Sequence, residues 1–329
     1  MIKTISHRER MKTCLAGEQP DRPPVAMWRH FPVDDQRGDT LAAAQLHFQR
    51  TYDWDLLKVT PASGYFVYDW GVEDAWNGHP HGTRDYTKRV VQSPEDWKRL
   101  DPLSPHNGHL QEMLSGLSQI IEAVGDDTPV IFTVFNPLSQ LKKLVGDQNL
   151  EDHLTNYPDE VTRALEMITE CTKDFVLAVI QTGADGIFYA VQHARPALMS
   201  REEYIRWGRT YDIPVLQAAA DGWLNLLHLH GNDVYFDQFV DYPVQVINWH
   251  DQETEPDLKT GQAAFQGVVC GGIRQEAALN LGTAEDVRRE ALAAIEATSG
   301  KRFILGTGCV APTTTPHGNL IAARGAVEG

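Results

Sequence analysis

Eight short apolar runs, rich in Val, Ile, Leu and Phe, set the strongest constraint on how this chain can fold. They are Val25–Phe31, Asp55–Pro61, Pro129–Phe135, Gly186–Gln192, Leu224–His230, Val244–His250, Ala264–Cys270 and Phe303–Cys309. Continuous hydrophobicity, rather than alternation, is the pattern of parallel strands covered on both faces. The segments between them read as helices. Pro158–Thr182 is long and amphipathic, Ser200–Asp221 opens with Ser200 and Glu203 as a capping box, and Thr283–Ser299 opens with Thr283 and Asp286 in the same way. A further helix, Ser6–Gly17, precedes the first run and is stopped by Gly17 and Pro20. Eight strands alternating with helices predict an α/β fold, a single (β/α)8 TIM-type barrel spanning residues 1–329 as one domain. The alternative is an open doubly wound sheet, but no Gly-x-Gly-x-x-Gly follows the first run. Ser63–Asn107 interrupts the repetition with aromatics, Gly78, Gly82 and several prolines, and is expected to form a hairpin or lid-like insertion after strand two.

Charge narrows the partners. With 45 acidic against 29 basic residues, the formal charge is −16. A field of that sign repels nucleic-acid backbones and anionic lipid surfaces, so neither partner is expected, while a locally positive pocket can still take a small anion. No apolar run is long enough to span a bilayer, and the first ten residues lack the apolar stretch of a signal peptide. Cys14, Cys171, Cys270 and Cys309 are widely scattered, which suits reduced thiols in a cytoplasmic protein better than a disulfide framework.

In a (β/α)8 barrel the chemistry sits at the C-terminal ends of the strands. Of 13 histidines, His30, His193, His228, His230 and His250 fall at these ends. His228 and His230 are two apart on one strand, so both rings face the same side and can reach one metal ion. Cys309 ends the eighth run and would project toward the same mouth. Two imidazoles and a thiolate form a zinc donor set with one position open, as a catalytic zinc requires. The structural alternative is a buried, hydrogen-bonded histidine pair with Cys309 as a small apolar filler. Arg29 could hold an anionic group or make a rim salt bridge. His30, His193 and His250 are candidates for acid–base work, and Asn136, Gln192 and Asn248 for orienting substrate.

The same residues carry a resemblance. The opening Arg8-Glu9-Arg10 followed by Gly17-Glu18-Gln19-Pro20-Asp21-Arg22-Pro23-Pro24-Val25 resembles the N-terminal signature of the uroporphyrinogen decarboxylase superfamily. The closing Gly308-Cys309-Val310-Ala311-Pro312-Thr313-Thr314-Thr315-Pro316 and the middle stretch Asn136-Pro137-Leu138 with Leu144-Val145-Gly146 are similar to it as well. The resemblance implies the same barrel. It includes true decarboxylases and zinc-dependent methyltransferases acting between corrinoids and thiols. Against the decarboxylase pattern, Arg29 matches the first of two substrate arginines, but His30-Phe31-Pro32-Val33 replaces the rest. Lys58-Val59-Thr60-Pro61-Ala62 lacks the essential Asp, Lys143 replaces a substrate-facing Tyr, and Thr307 replaces a late His. The methyltransferase branch matches better: His228 and Cys309 correspond to zinc ligands, with His230 where that branch has Cys.

The resemblance therefore implies a zinc-dependent methyl or alkyl transferase, with His228, His230 and Cys309 holding Zn2+ and a thiol as acceptor. The donor would be a corrinoid on a separate carrier protein, or a small methylated compound. A homodimer is among the assemblies the resemblance implies. Two other functions are compatible with the residues: a metal-free decarboxylase or lyase anchored by Arg29, and a noncatalytic corrinoid- or tetrapyrrole-binding protein.

Overall fold

A computed structural model describes residues 5–328. Among these residues, seven parallel strands run in order around one curled sheet. They are β1 (Leu57–Val59), β4 (Val130–Phe135), β5 (Gly186–Val191), β6 (Leu226–Leu229), β7 (Val246–Trp249), β8 (Val268–Ile273) and β9 (Phe303–Thr307). Chain-order neighbours pair directly, so each crossover helix returns the chain to the adjacent stave. Every residue of these seven strands is buried, which is why their sequences are mostly apolar, with Lys58, Thr133, His228, Asn248 and Thr307 as buried polar exceptions.

Several predicted runs form only over their central residues, as Asp55–Pro61 does over Leu57–Val59, and the first, Val25–Phe31, forms no strand of its own. It contributes a single parallel bridge, Val25 with Leu305. Ala26 N donates to Leu305 O at 2.9 Å, Leu305 N to Pro24 O at 2.8 Å, and Asp55 N to Val25 O at 2.9 Å. The segment thus fills the gap between β9 and β1. Val25 N donates to the Asp55 carboxylate at 2.8 Å rather than to a backbone carbonyl. The seventh run also shifts, with β8 starting at Val268 and running on to Ile273.

Helices Gly38–Tyr52, Gly108–Val124, Pro158–Gln181 and Ala284–Thr298 are the longest outside the sheet. The Ser6, Ser200 and Thr283 capping boxes are all present. The expected Ser200–Asp221 helix is broken into Arg201–Tyr204, a π-helical turn over Ile205–Arg209, and Thr210–Ala218 with Pro214 inside it. This irregular helix carries Asp212, which is fully buried. It accepts hydrogen bonds from the hydroxyls of Tyr189 (2.8 Å), Tyr242 (2.9 Å) and Tyr204, and from Asn136 Nδ2 (3.0 Å).

Helix His7–Leu15 closes the N-terminal end of the barrel. Met11 and Cys14 on it are fully buried. Asp55, just before β1, gathers Arg10 Nη1 (2.6 Å), Arg22 Nη1 (2.6 Å) and His7 Nδ1 (2.7 Å). Arg8 reaches Asp185, just before β5. These cations hold the Asp55 carboxyl far below its ordinary range despite its burial. Removing one partner of such a buried group costs about 3–5 kcal/mol, so this cluster fixes the helix in place.

At the opposite end, the insertion forms the antiparallel pair β2 (Glu73–Ala75) and β3 (Asp85–Lys88), a hairpin across the mouth as expected. Its tip is tied to the far side: Thr313 N donates to Pro80 O at 2.6 Å, and His81 pairs with Glu276. Gly82, at φ +71°, lies against the His30 ring, where a side chain would collide. No helix among the described residues is long and apolar enough to cross a membrane.

Candidate metal centre

Register places the central pair. β6 and β7 align His228 with Asn248, and β7 and β8 align Asn248 with Cys270. Asn248 Nδ2 donates to Cys270 O and to Thr307 O, both at 2.9 Å. Its donors are therefore spent, and Oδ1 must accept from His228 Nδ1 at 2.7 Å. That fixes the His228 tautomer with the proton on Nδ1 and a free lone pair on Nε2, the arrangement expected behind a metal-ligating histidine.

The lone pair faces Cys309, whose Sγ is 3.7 Å from His228 Nε2 and 3.6 Å from His230 Nδ1. Cys309 lies two residues beyond β9, where Thr307 Oγ1 donates to Cys309 O at 2.6 Å and holds the turn. His250 completes the group: one donor atom from each of His228, His230, His250 and Cys309 falls within 4.8 Å of all the others. His250 Nε2 is buried without a hydrogen-bond partner. Burial, with a smaller contribution from the neighbouring imidazoles, pushes His228 well below 6.5 and His250 to about 3. Burial, reinforced by Arg195, pushes His230 to about 4. Burial lifts the Cys309 thiol to about 11, against the opposing influence of the Val310 N–H and Lys58. Three neutral imidazoles and a thiol make a set that can take up a metal cation with release of the thiol proton.

A cavity of about 260 Å3 opens in front of this set, and His228, His230 and Cys309 form part of its wall. His30 and Gln192 line it too. His30 Nδ1 lies 3.5 Å from the buried Asp35 carboxylate, and burial nonetheless keeps its pKa below the ordinary value.

The other expected site residues stand elsewhere. Asn136 caps helix Pro137–Val145, accepting from Ser139 N at 3.0 Å while donating to Asp212. Asn248 spends its amide on His228 and two carbonyls. Both amides are thus committed to the scaffold rather than to a substrate. Arg29 lines a separate surface groove with Phe48, Tyr52 and His317, stacking over Phe31 at 5.2 Å. His193 is buried outside the cavity lining, and burial pushes it down to about 3.

Two residues that sequence reasoning treated only as departures from the decarboxylase pattern are in the cavity wall. Lys58 and Lys143 each have a relative exposure of 4%. A lysine inside Leu56-Leu57-Lys58-Val59 was the available sign, since a charged side chain rarely interrupts a buried strand without a reason.

Comparison with known proteins gives the family. The family model described as uroporphyrinogen decarboxylase (URO-D) matches residues 78–329, well over half of the chain. The chain belongs to the uroporphyrinogen decarboxylase family. Within reach of that family, the chain is 24% identical over 236 residues to the methylcobamide:CoM methyltransferase MtbA of Methanosarcina acetivorans, covering 71% of this chain and 68% of the relative. It is 25% identical over 256 residues to the methylcobamide:CoM methyltransferase MtaA of Methanosarcina barkeri, covering 74% and 73%. Among solved structures, a methyltransferase from Methanosarcina mazei superposes with a TM-score of 0.85 over 98% of both chains at 19% identity. A B12-independent methionine synthase from Shewanella sp. W3-18-1 superposes with a TM-score of 0.60 at 14% identity, covering 92% of this chain and 97% of that one. These structural likenesses speak for the fold, and the curated relatives place methyltransferases beside this chain in the family.

Proposed function

We propose that this protein is a zinc-dependent methyltransferase that passes a methyl group from a corrinoid, or a small methylated donor, to a small thiol held in the cavity. The observation that carries the metal is a pair of distances. A tetrahedral zinc with Zn–N of about 2.0–2.1 Å and Zn–S of about 2.3 Å sets nitrogen and sulfur ligands about 3.6 Å apart. The Cys309 Sγ separations from His230 Nδ1 and His228 Nε2 are 3.6 Å and 3.7 Å. The one thiol proton can be directed at only one of these imidazoles at a time, and a metal cation at that spacing would take its place.

His228, His230 and Cys309 would hold the ion. His250 is the fourth donor in reach and would complete the set when no acceptor thiol is bound, in place of the acid–base role expected for it. Bound zinc supplies Lewis acidity, which ionises a thiol near neutral pH. Asn248 keeps the His228 lone pair aimed, and the hairpin over the mouth limits water. In the transfer itself the acceptor's sulfur–carbon bond forms as the bond from methyl to donor breaks, its electron pair stays with the donor, and the thiol proton goes to solvent. A cavity of about 260 Å3 lies below the roughly 300–1,000 Å3 of pockets for drug-sized ligands, so a corrinoid would present its methyl from outside, on a carrier protein.

The test joins metal analysis to turnover. Protein produced with zinc should contain about one zinc per chain and transfer methyl from methylcobalamin to small thiols. Zinc-free protein from such a preparation, or an undiminished zinc content in both Cys309→Ser and His228→Ala, would refute the metal assignment.

A further inference from the structure

Along the first apolar run the side chains alternate between two hollows. Trp28 and His30 line the cavity in front of the His/Cys set, whereas Arg29 and Phe31 line a groove of about 670 Å3 on the other side, walled by helix Gly38–Tyr52 and His317. The two hollows share no lining residue.

Arg29 is the group in this groove that lacks a partner. Among the described residues no carboxylate comes within ion-pair distance of its guanidinium; Asp34 stands on the groove wall but farther off. Its one hydrogen bond is long, from Nη1 to Thr313 O at 3.5 Å, and its Nε is buried with no partner at all. It lies over the rings of Phe31 at 5.2 Å and Phe48 at 5.9 Å. Burial lowers Arg10, Arg84 and Arg324 too, but carboxylate partners outweigh it and raise all three. For Arg29 burial is opposed only by Tyr52, and its pKa falls below the ordinary value.

A guanidinium presents five N–H donors in one plane, a fork that matches the two oxygens of a carboxylate. Aromatic faces offset only a part of what the cation loses on leaving water. In a chain with 45 acidic and 29 basic residues, internal counter-ions are plentiful, yet the fold leaves this charge without one. The wall beside it is flat and already in place. A hydrogen bond of 2.8 Å between its hydroxyl and His317 Nδ1 holds Tyr52, which also stacks on Trp54 at 5.4 Å.

We infer that this groove is a second ligand site, for a small flat carboxylic acid whose carboxylate pairs with Arg29 and whose ring lies against Phe31, Phe48 and Tyr52. Asp34 on the same wall disfavours a second negative charge, so the site takes a monoanion rather than a doubly charged phosphate. The volume is within the roughly 300–1,000 Å3 of small-molecule pockets. None of His228, His230, His250 and Cys309 lines the groove, so the inference does not depend on the proposed function.

The experiment titrates the full chain by calorimetry with benzoate, with benzamide as its neutral counterpart and phenyl phosphate as the dianion. Benzoate should bind saturably, and the other two at least about tenfold more weakly. Arg29→Gln should weaken benzoate about tenfold or more, and Arg29→Lys should restore only part of it, because an ammonium lacks the paired donors. Photolysis with 4-azidobenzoate, followed by peptide mapping, locates the site: label should fall on helix Gly38–Tyr52, and excess benzoate should suppress it. No saturable benzoate binding, equal binding of benzamide, benzoate affinity unchanged in Arg29→Gln, or label confined to cavity-lining peptides would overturn the inference. Phenyl phosphate bound as tightly as benzoate would refute the selection of a monoanion. The wild-type comparison and the labelling decide the matter even if a variant fails to fold. Absence of zinc or of methyl transfer would sink the proposed function and leave this site standing.

Discussion

Asn248 is the residue through which the candidate metal centre can be perturbed without changing any of His228, His230, His250 and Cys309. Replacing it with leucine keeps the volume but removes three hydrogen bonds, of 2.7, 2.9 and 2.9 Å. The Cys270 and Thr307 carbonyls and the His228 Nδ1 proton are then buried and unpaired. Each such group costs about 1–3 kcal/mol, so stability should fall by roughly 3–9 kcal/mol unless water enters. Zinc affinity should fall separately, by about 10–100-fold, because His228 is free to turn or to carry its proton on the wrong nitrogen. Asn248→Asp divides the two effects. A carboxylate still accepts from His228 Nδ1 but cannot donate to the two carbonyls, so this variant should lose stability while keeping zinc affinity much closer to wild type. Competition with a chromophoric chelator gives the affinities, and thermal melting of the chelator-treated protein gives the stability. Zinc affinity unchanged in Asn248→Leu, or equally reduced in both variants, would show that this hydrogen bond does not orient the ligand.

The ligands themselves give graded outcomes in the same chelator assay. His228→Ala should abolish tight zinc binding and Cys309→Ser should weaken it strongly, since a serine hydroxyl does not ionise near neutral pH, whereas His230→Cys should retain it and raise the reactivity of a bound thiol. Uroporphyrinogen should not be turned over. The cavity is about 260 Å3, the Lys58–Ala62 stretch lacks the Asp of the decarboxylase pattern, and Lys143 stands where that pattern has Tyr; coproporphyrinogen formed at an enzymatic rate would refute the branch assignment. A pH effect is expected at the other end of the barrel. Burial lowers the His7 pKa, but Asp55, Asp53 and Asp127 outweigh it and raise the net value above 6.5. A raised pKa means that the charged form stabilises the fold fully below 6.5, and that this contribution disappears as pH rises through the folded value. His7→Gln should therefore lower the melting temperature more at about pH 5.5 than at about pH 8.5; an equal loss at both would assign the effect to packing.

The barrel was legible because its signal is collective. Each buried strand announces itself by apolar length, and a shift of two or three residues, as in Val268–Ile273, does not alter the order of staves. Val25–Phe31 looks like the other runs, yet it pairs at one residue, and its first amide is taken by the side chain of Asp55, thirty positions away. Side-chain destinations were less visible for the same reason. Periodicity puts His228 and His230 on one face, and Cys309 at the same rim, whatever else they touch. Nothing local says that Asn136 turns to Asp212, that Asn248 faces a histidine on the neighbouring strand, or that Arg29 stacks on an outer groove. Lys58 and Lys143 were readable as oddities, but that both stand in one cavity wall is known only once the fold has chosen the neighbours.

The helix sealed beneath the barrel by Asp55, Arg10 and Arg22 has a kinetic corollary. Among the described residues the base is stoppered, and both substrates of a transfer would then enter by the mouth. Under the proposed function the small acceptor lies inside, and the bulky donor covers the opening. Binding order is then imposed by shape: acceptor first, donor second, with the methylated product unable to leave until the spent donor has gone. Initial-rate measurements should show an ordered sequential pattern, with dead-end inhibition by excess donor relieved as acceptor concentration rises, and without the parallel lines of a ping-pong enzyme.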